Sequence, residues 1–239
     1  MEMPFVVCHM LTSLDGKIDG PFFEAPQAAP ALMAYGELRG HYGCEATLYG
    51  TTTMLGGYAD GRVSASETEG DAPEPGDWVN EGGRAMGNFI VSLDPRGELA
   101  FSGHVLEKKG RAAAHVVQAL TRQAAPGYIA YLRRRGVPYV FAGEEQLDCA
   151  LLLKKLRALL GVERLMVAGG GITNGSFLAE GLIDELSIVV APVADGGRAA
   201  SIFETMPLHA AHAPRAFSLM EARPLDGGAL WLRYGAEKG

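Results

Sequence analysis

Short apolar runs separated by glycine-rich or polar breaks recur along the chain. Phe5 to Leu11 predicts a buried strand, ended by the polar and glycine residues of Thr12-Ser13-Leu14-Asp15-Gly16-Lys17-Ile18-Asp19-Gly20. Residues 28–39 carry a helical pattern. Ala46 to Tyr49 predicts a second strand, and Gly50-Thr51-Thr52-Thr53-Met54 opens another helical turn. Phe89 to Val91, Ala114 to Val117 and Tyr139 to Phe141 predict further strands, alternating with helical stretches at 127–135 and 147–160. Such alternation predicts a mixed, mostly parallel α/β sheet with helices on both faces.

The segment from Arg164 to Pro192 is the most informative. Leu165-Met166-Val167 runs into Ala168 and then Gly169-Gly170-Gly171; Ile172-Thr173-Asn174-Gly175-Ser176 opens a helix, and Leu186 to Val190 forms the next strand. Consecutive glycines let the backbone take positive φ and approach a ligand, while the N–H groups opening a helix attract an anion. Asn174 and Ser176 stand where side chains cap such groups or bind a phosphate oxygen. The flanking runs are too apolar for surface loops, so the turn belongs at the end of a buried sheet, where open α/β folds bind ligands. Near the end of the chain, Phe217 to Ala222 and Ala229 to Tyr234 flank Asp226-Gly227-Gly228 and predict an antiparallel hairpin.

Composition narrows the classes. With 239 residues and 48% hydrophobic content, the chain supports one substantial domain. The stretch 58–87, rich in Gly, Pro, Asp and Glu, predicts a long surface loop. A formal net charge of -7, with no basic cluster larger than Arg133-Arg134-Arg135, argues against a nucleic-acid partner. No apolar run approaches the ~20 residues of a membrane span, and Met1 to Pro4 lacks signal-peptide character. Cys8, Cys44 and Cys149 show no paired spacing and read as free thiols, so a cytoplasmic protein is expected. His209 and His212 lack a third ligand at suitable spacing, so no metal is expected. His9 and His115, within apolar strands, read as satisfied core residues.

Ser13-Leu14-Asp15-Gly16-Lys17 after the first strand, Gly50-Thr51-Thr52-Thr53 after the second, and Gly169-Gly170-Gly171 leading through Asn174 to Gly181-Leu182-Ile183-Asp184-Glu185-Leu186 together resemble the pyrimidine reductases of riboflavin biosynthesis. These are also found as the C-terminal reductase domain of bifunctional deaminase-reductases, within the dihydrofolate reductase-like superfamily. The resemblance implies an NADPH-dependent reductase, usually homodimeric, acting like a 5-amino-6-(5-phosphoribosylamino)uracil reductase on a C=N or C=C bond of a small heterocyclic or imine-type substrate. By the same resemblance, Gly170, Gly171, Ile172, Thr173, Asn174, Gly175 and Ser176 fall on cofactor-phosphate positions, Thr53 on a cofactor contact and Asp19 near one. Lys17 matches the basic residue lining the substrate pocket, where it would supply a proton or positive charge, with Asp15 to orient it. Arg62 matches a substrate anion contact.

The chain also departs from the family pattern. Ala168 stands where the family carries a substrate-holding glutamate, Gly56 to Arg62 replaces a substrate-gripping segment, and Pro95 replaces a cofactor-side serine. These departures predict an altered substrate more than an altered cofactor. A dinucleotide-binding dehydrogenase is disfavoured because the glycines come late and lack Gly-x-Gly-x-x-Gly spacing. Two alternatives stay open: a dihydrofolate or dihydropterin reductase, and a nucleotide-binding protein of the same fold that turns nothing over. NADPH preference needs a cation for the 2′-phosphate, and Arg96, Arg111 and Arg122 are the candidates.

Overall fold

The computed structural model describes residues 2–69, 76–108, 110–205 and 213–237. His209 and His212 therefore lie outside the described residues. The first half of the chain forms β1 (Phe5–Thr12), α1 (Ala29–Leu38), β2 (Ala46–Gly50), α2 (Thr51–Leu55), α3 (Glu81–Met86), β3 (Phe89–Leu93) and β4 (Val105–Leu106). The rest forms β5 (Ala114–Leu120), α4 (Pro126–Arg135), β6 (Tyr139–Phe141), α5 (Cys149–Leu160), β7 (Arg164–Val167), α6 (Gly171–Ala179), β8 (Glu185–Val190), β9 (Phe217–Pro224) and β10 (Leu230–Ala236). The strand pairs are mostly parallel, and the C-terminal β9–β10 hairpin is antiparallel, as the patterning predicts. Among the described residues, no helix is long and apolar enough to cross a membrane.

The chain divides into two compact units, one of residues 1–4 and 45–163, the other of residues 5–44 and 164–239. In the first, β2, β3 and β5 run parallel in that order. β4 pairs antiparallel with the start of β5, and β6 runs parallel beside its end. Every residue of β3 and β5 is buried, which explains their mainly apolar character, interrupted by the buried Ser92, His115 and Gln118. Asp94, following β3, accepts the N–H groups of Glu98 and Leu99 and the Tyr128 hydroxyl, and so folds the turn after the strand. Three elements differ from the patterning. The two-residue β4 is too short to leave a periodic signal, and the stretch read as a long loop holds α3 and a 3-10 turn at Ala65–Thr68. That turn opens on a capping box in which Ser64 and Glu67 satisfy each other's backbone.

In the second unit the order is β7, β1, β8, β10, β9, with the first three parallel. Its core contains a fully satisfied polar chain. His9 Nε2 faces the Tyr35 carbonyl at 3.0 Å and must carry the proton; Nδ1 then accepts from Ser187 Oγ at 2.8 Å. Ser187 Oγ in turn accepts from Trp231 Nε1 at 2.9 Å. Beside it, the buried Glu185 accepts from Tyr42 and Arg233, so this buried carboxylate is paired. His115, in the first unit, bonds the Val116 carbonyl and the Asn80 side chain, again a core role.

Burial lowers the His9 pKa from 6.5 to about 4. In this window the unfolded chain binds the proton and the folded one does not, so stability falls as pH drops from about 6.5 to about 4, by at most about 3 kcal/mol from this one group. Denaturant titration across that range should show the slope in the wild type and a correspondingly flatter, lower curve for His9→Gln. Parallel curves would exclude His9 as its source.

Candidate active site

The predicted residues fall in both units. In the second, the turn after β1 is built around Ser13, whose N–H bonds the Lys17 carbonyl at 3.0 Å and whose Oγ accepts the Lys17 N–H at 2.9 Å. Gly16 takes φ 77° within it. Asp15 accepts from Ser13 Oγ at 2.6 Å and from the N–H groups of Asp195 and Gly196 at 2.8 and 3.0 Å. Those bonds, the Ser13 hydroxyl foremost, hold its carboxyl well below the usual carboxylate range. Asp15 thus clasps the turn to the segment after β8. Asp19 accepts the N–H of its neighbour Gly20 at 2.8 Å. Lys17 forms an antiparallel bridge with Ser201, and Ile18 N–H bonds the Ala200 carbonyl at 2.9 Å.

The glycine run behaves only partly as its sequence predicts. Gly169 and Gly170 take φ 141° and 75°, a path open to glycine, and Gly170 precedes α6 with no side-chain cap. A Cβ on Gly170 would meet nothing closer than Thr173 Oγ1 at 3.6 Å, so the approach to this turn is open. Gly171 and Gly175 have a different reason to be glycine. A Cβ on Gly171 would lie 2.6 Å from Glu204 Cγ and 2.7 Å from the Ser201 carbonyl, and one on Gly175 only 2.0 Å from the Glu204 carbonyl. Both let the segment around Ser201 to Glu204 lie directly on the helix, and Glu204 N–H bonds the Gly171 carbonyl at 2.9 Å.

The capping role expected of Asn174 and Ser176 is corrected by their geometry. Asn174 is the fourth residue of α6, fully buried, and donates Nδ2 to the Ile202 carbonyl at 2.8 Å. Ser176, two residues further on, bonds back to the Ile172 carbonyl at 3.1 Å. Both sit too far along the helix to reach its first N–H groups. Thr173 is buried and Ile172 is exposed, so the open flank of the first turn is that of Gly170 and Ile172. There the first N–H groups of α6 have no acceptor within the helix.

Thr53 and Arg62 belong to the other unit. Thr53 is half-buried in the short α2, whose start is tied to β3 by Thr51 Oγ1 donating to the Leu93 carbonyl at 2.8 Å. Arg62 pairs with Glu98 and bridges to Leu99. Of the three arginine candidates, Arg96 is exposed, and Arg122 lies over the Phe141 ring at 4.4 Å. Arg111 donates to the hydroxyls of the stacked Tyr49 and Tyr58 and, with Glu107, Lys108 and Ala113, lines a shallow depression open to solvent.

Two residues escaped sequence reasoning. Asp195 accepts from the Phe22 and Gly197 N–H groups. Glu204 Oε1 accepts from Ser201 N–H at 2.7 Å and lies 2.8 Å from Ser201 Oγ, whose one proton it shares with the Phe203 carbonyl at 2.8 Å. The Ser201 N–H, the Ser201 hydroxyl and, more weakly, the Lys17 charge lower the Glu204 pKa. Neither residue lies in a periodic element, so no pattern marks it.

This strand-turn-helix, with its open glycine turn and adjacent lysine, sits within a sequence that matches the RibD C-terminal domain over residues 4–230. The chain belongs to that family. It is 31% identical over 196 residues to the 2,5-diamino-6-ribosylamino-4(3H)-pyrimidinone 5′-phosphate reductase of Methanothermobacter thermautotrophicus, covering 82% of this chain and 81% of the relative. The fold is shared with a pyrimidine reductase-like protein of Corynebacterium diphtheriae (TM-score 0.67, 15% identity, 99% of this chain and 93% of that one). It is shared also with a riboflavin biosynthesis reductase of Saccharomyces (TM-score 0.63, 15% identity, 98% and 90%). As a member of this family the chain is a reductase, with a nicotinamide-type cofactor as reductant.

Replacement of the two classes of glycine should separate them. Gly175→Ala forces the Glu204 carbonyl away and should cost about 1–3 kcal/mol in chemical denaturation, as overpacking does. Gly170→Ala meets no clash and should cost about 1 kcal/mol through its positive φ alone. Equal costs would remove the packing role assigned to Gly175.

Proposed function

We propose that the protein is an NADPH-dependent reductase of a ribosylaminopyrimidine phosphate, the chemical class in its relatives' names, with both units forming one reductase domain. The observation carrying this reading is the open Gly169-Gly170 turn leading into α6 in the same unit as the half-buried Lys17. The residues fit a dinucleotide: an uncapped helix start with an unobstructed glycine approach suits a diphosphate. Gly170, Gly171, Ile172 and Thr173 would hold it, while Asn174, Gly175 and Ser176 shape the helix behind them. When bound, the nicotinamide supplies the hydride.

The chain's own residues supply the rest. Ser13 fixes the backbone of the Lys17 turn through two hydrogen bonds, and Asp15 ties that turn to the segment carrying Ser201. Lys17 is thereby positioned to place an ammonium at the acceptor nitrogen or oxygen, where negative charge develops as the hydride arrives, and to donate the proton. Asp15 acts as a positioning residue. Thr53 remains the proposed cofactor contact of the first unit, Asp19 a second-unit contact, and Arg62 a substrate contact, its charge shared with Glu98. Arg111, beside Lys108 and Glu107 in a shallow surface depression, is the candidate partner for a 2′-phosphate. We read the protein as a cytoplasmic homodimer; the exposed Leu219 and Met220 on the β9 strand support a subunit contact there.

Lys17→Met should lower kcat/KM at least about 100-fold while leaving the NADPH Kd within about threefold. Equal loss of both, measured by steady-state kinetics and calorimetry, would make Lys17 a cofactor ligand instead. Titration of wild type with NADPH and NADH should show a preference for NADPH that Arg111→Ala reduces and that Arg96→Ala and Arg122→Ala leave in place. An unchanged ratio in Arg111→Ala would remove that assignment. A wild type that binds NADPH but never consumes it with any pyrimidine acceptor would favour the binding-protein alternative.

A further inference from the structure

Ser92 and Gln118 are wholly buried, yet Ser92 Oγ and both amide atoms of Gln118 meet no hydrogen-bond partner among the described residues. A polar atom buried in this way gives up its hydration with no return, and folded proteins rarely leave three such atoms side by side. The two residues are register partners in the parallel β3–β5 pair, so their side chains stand on one face of the sheet. The same register extends the row to Tyr49 on β2 and Tyr139 on β6. At the ends of the row the polar atoms are engaged. Tyr49 Oη accepts from Arg111 at 3.1 Å, and Tyr139 Oη accepts from Arg133 Nε at 3.0 Å. The unpartnered atoms are those in the middle.

The row also fixes what kind of partner fits there. Neighbouring strands lie about 4.8 Å apart, so Tyr49 and Gln118 stand roughly 10 Å from each other across Ser92, the shortest side chain of the four. Gln118 Oε1 calls for a donor, Nε2 for an acceptor, and Ser92 Oγ takes either. Asp94, two residues further along the chain, does not supply the acceptor, because its carboxylate already receives the N–H groups of Glu98 and Leu99 and the Tyr128 hydroxyl. A cation would satisfy only the oxygens and an anion only the donors. The complement of this neutral pair is a small neutral group that donates and accepts at once.

We infer that the first unit encloses an internal hydration site: at least one ordered water molecule bridges Ser92 Oγ and the side-chain amide of Gln118, between β3 and β5. Water carries two donors and two acceptors, and a buried water typically makes about three hydrogen bonds to polar groups of this kind. The site is independent of the reductase chemistry and belongs to the sheet that carries it.

High-resolution crystallography of the wild-type protein should show a water within hydrogen-bond distance, about 3.2 Å or less, of both Ser92 Oγ and a Gln118 amide atom. A crystal in which Ser92 Oγ bonds the amide directly, or in which protein groups alone satisfy both side chains, overturns the proposal. In solution, the oxygen-17 relaxation dispersion of water should lose the amplitude of at least about one long-lived molecule in the double variant Ser92→Ala, Gln118→Met, which keeps an apolar volume but removes every polar atom of the pair. Full amplitude in the folded double variant also overturns it. Should that variant fail to fold, the wild-type crystal decides alone.

Discussion

An irregular segment that lies against buried structure must find partners for its backbone polar groups, and the chain from Asp195 to Glu204 sets the terms for the whole candidate site. Asp15 accepts the N–H groups at its start, the backbone of Ile18 donates to Ala200, and Gly171 accepts from Glu204 at its end. Asn174 takes the Ile202 carbonyl from below. Each contact also fixes a residue that chemistry would use: the Lys17 turn on one side, the first turn of α6 on the other. Removing side chains at Gly171 and Gly175 is what lets the segment approach closely enough for these bonds to form.

This arrangement divides the labour of the glycine run. Gly169 and Gly170 serve conformation, through φ values that other residues rarely adopt, and leave the helix start open. Gly171 and Gly175 serve contact, with ordinary helical backbone and no room for a methyl group. A single motif therefore carries a ligand-facing half and a protein-facing half.

That distinction marks the limit of what sequence could show. The strands were legible because burial on both faces favours mainly apolar runs, as in β1, β3 and β5. The C-terminal hairpin was legible because Asp226-Gly227-Gly228 interrupts two apolar segments. The order of the motifs also sufficed to place the chain in its family. The partners of Gly171, Gly175 and Asn174 were not legible, since they lie about 30 residues away in sequence, in a segment without periodicity. Read locally, Asn174 and Ser176 looked like caps; only the helix boundary at Gly171, a few residues earlier than a cap would need, shows otherwise. Asp195 and Glu204 had no signal at all.

The two strand-end aspartates show which physical effect governs such loops. Asp15 and Asp94 each follow a strand and each accept two or more hydrogen bonds from neighbouring groups. Asp15 is open to solvent, its charge costs little desolvation, and the donors win, so it stays ionised far into acid. Asp94 is buried beneath Tyr128, where loss of hydration outweighs comparable donors and raises its pKa. Burial, not bond count, therefore decides the sign. Glu204 belongs with Asp15: half-buried, with Ser201 on one oxygen, it keeps its charge. A carboxylate that is both fixed by its neighbours and ionised is an obligate acceptor.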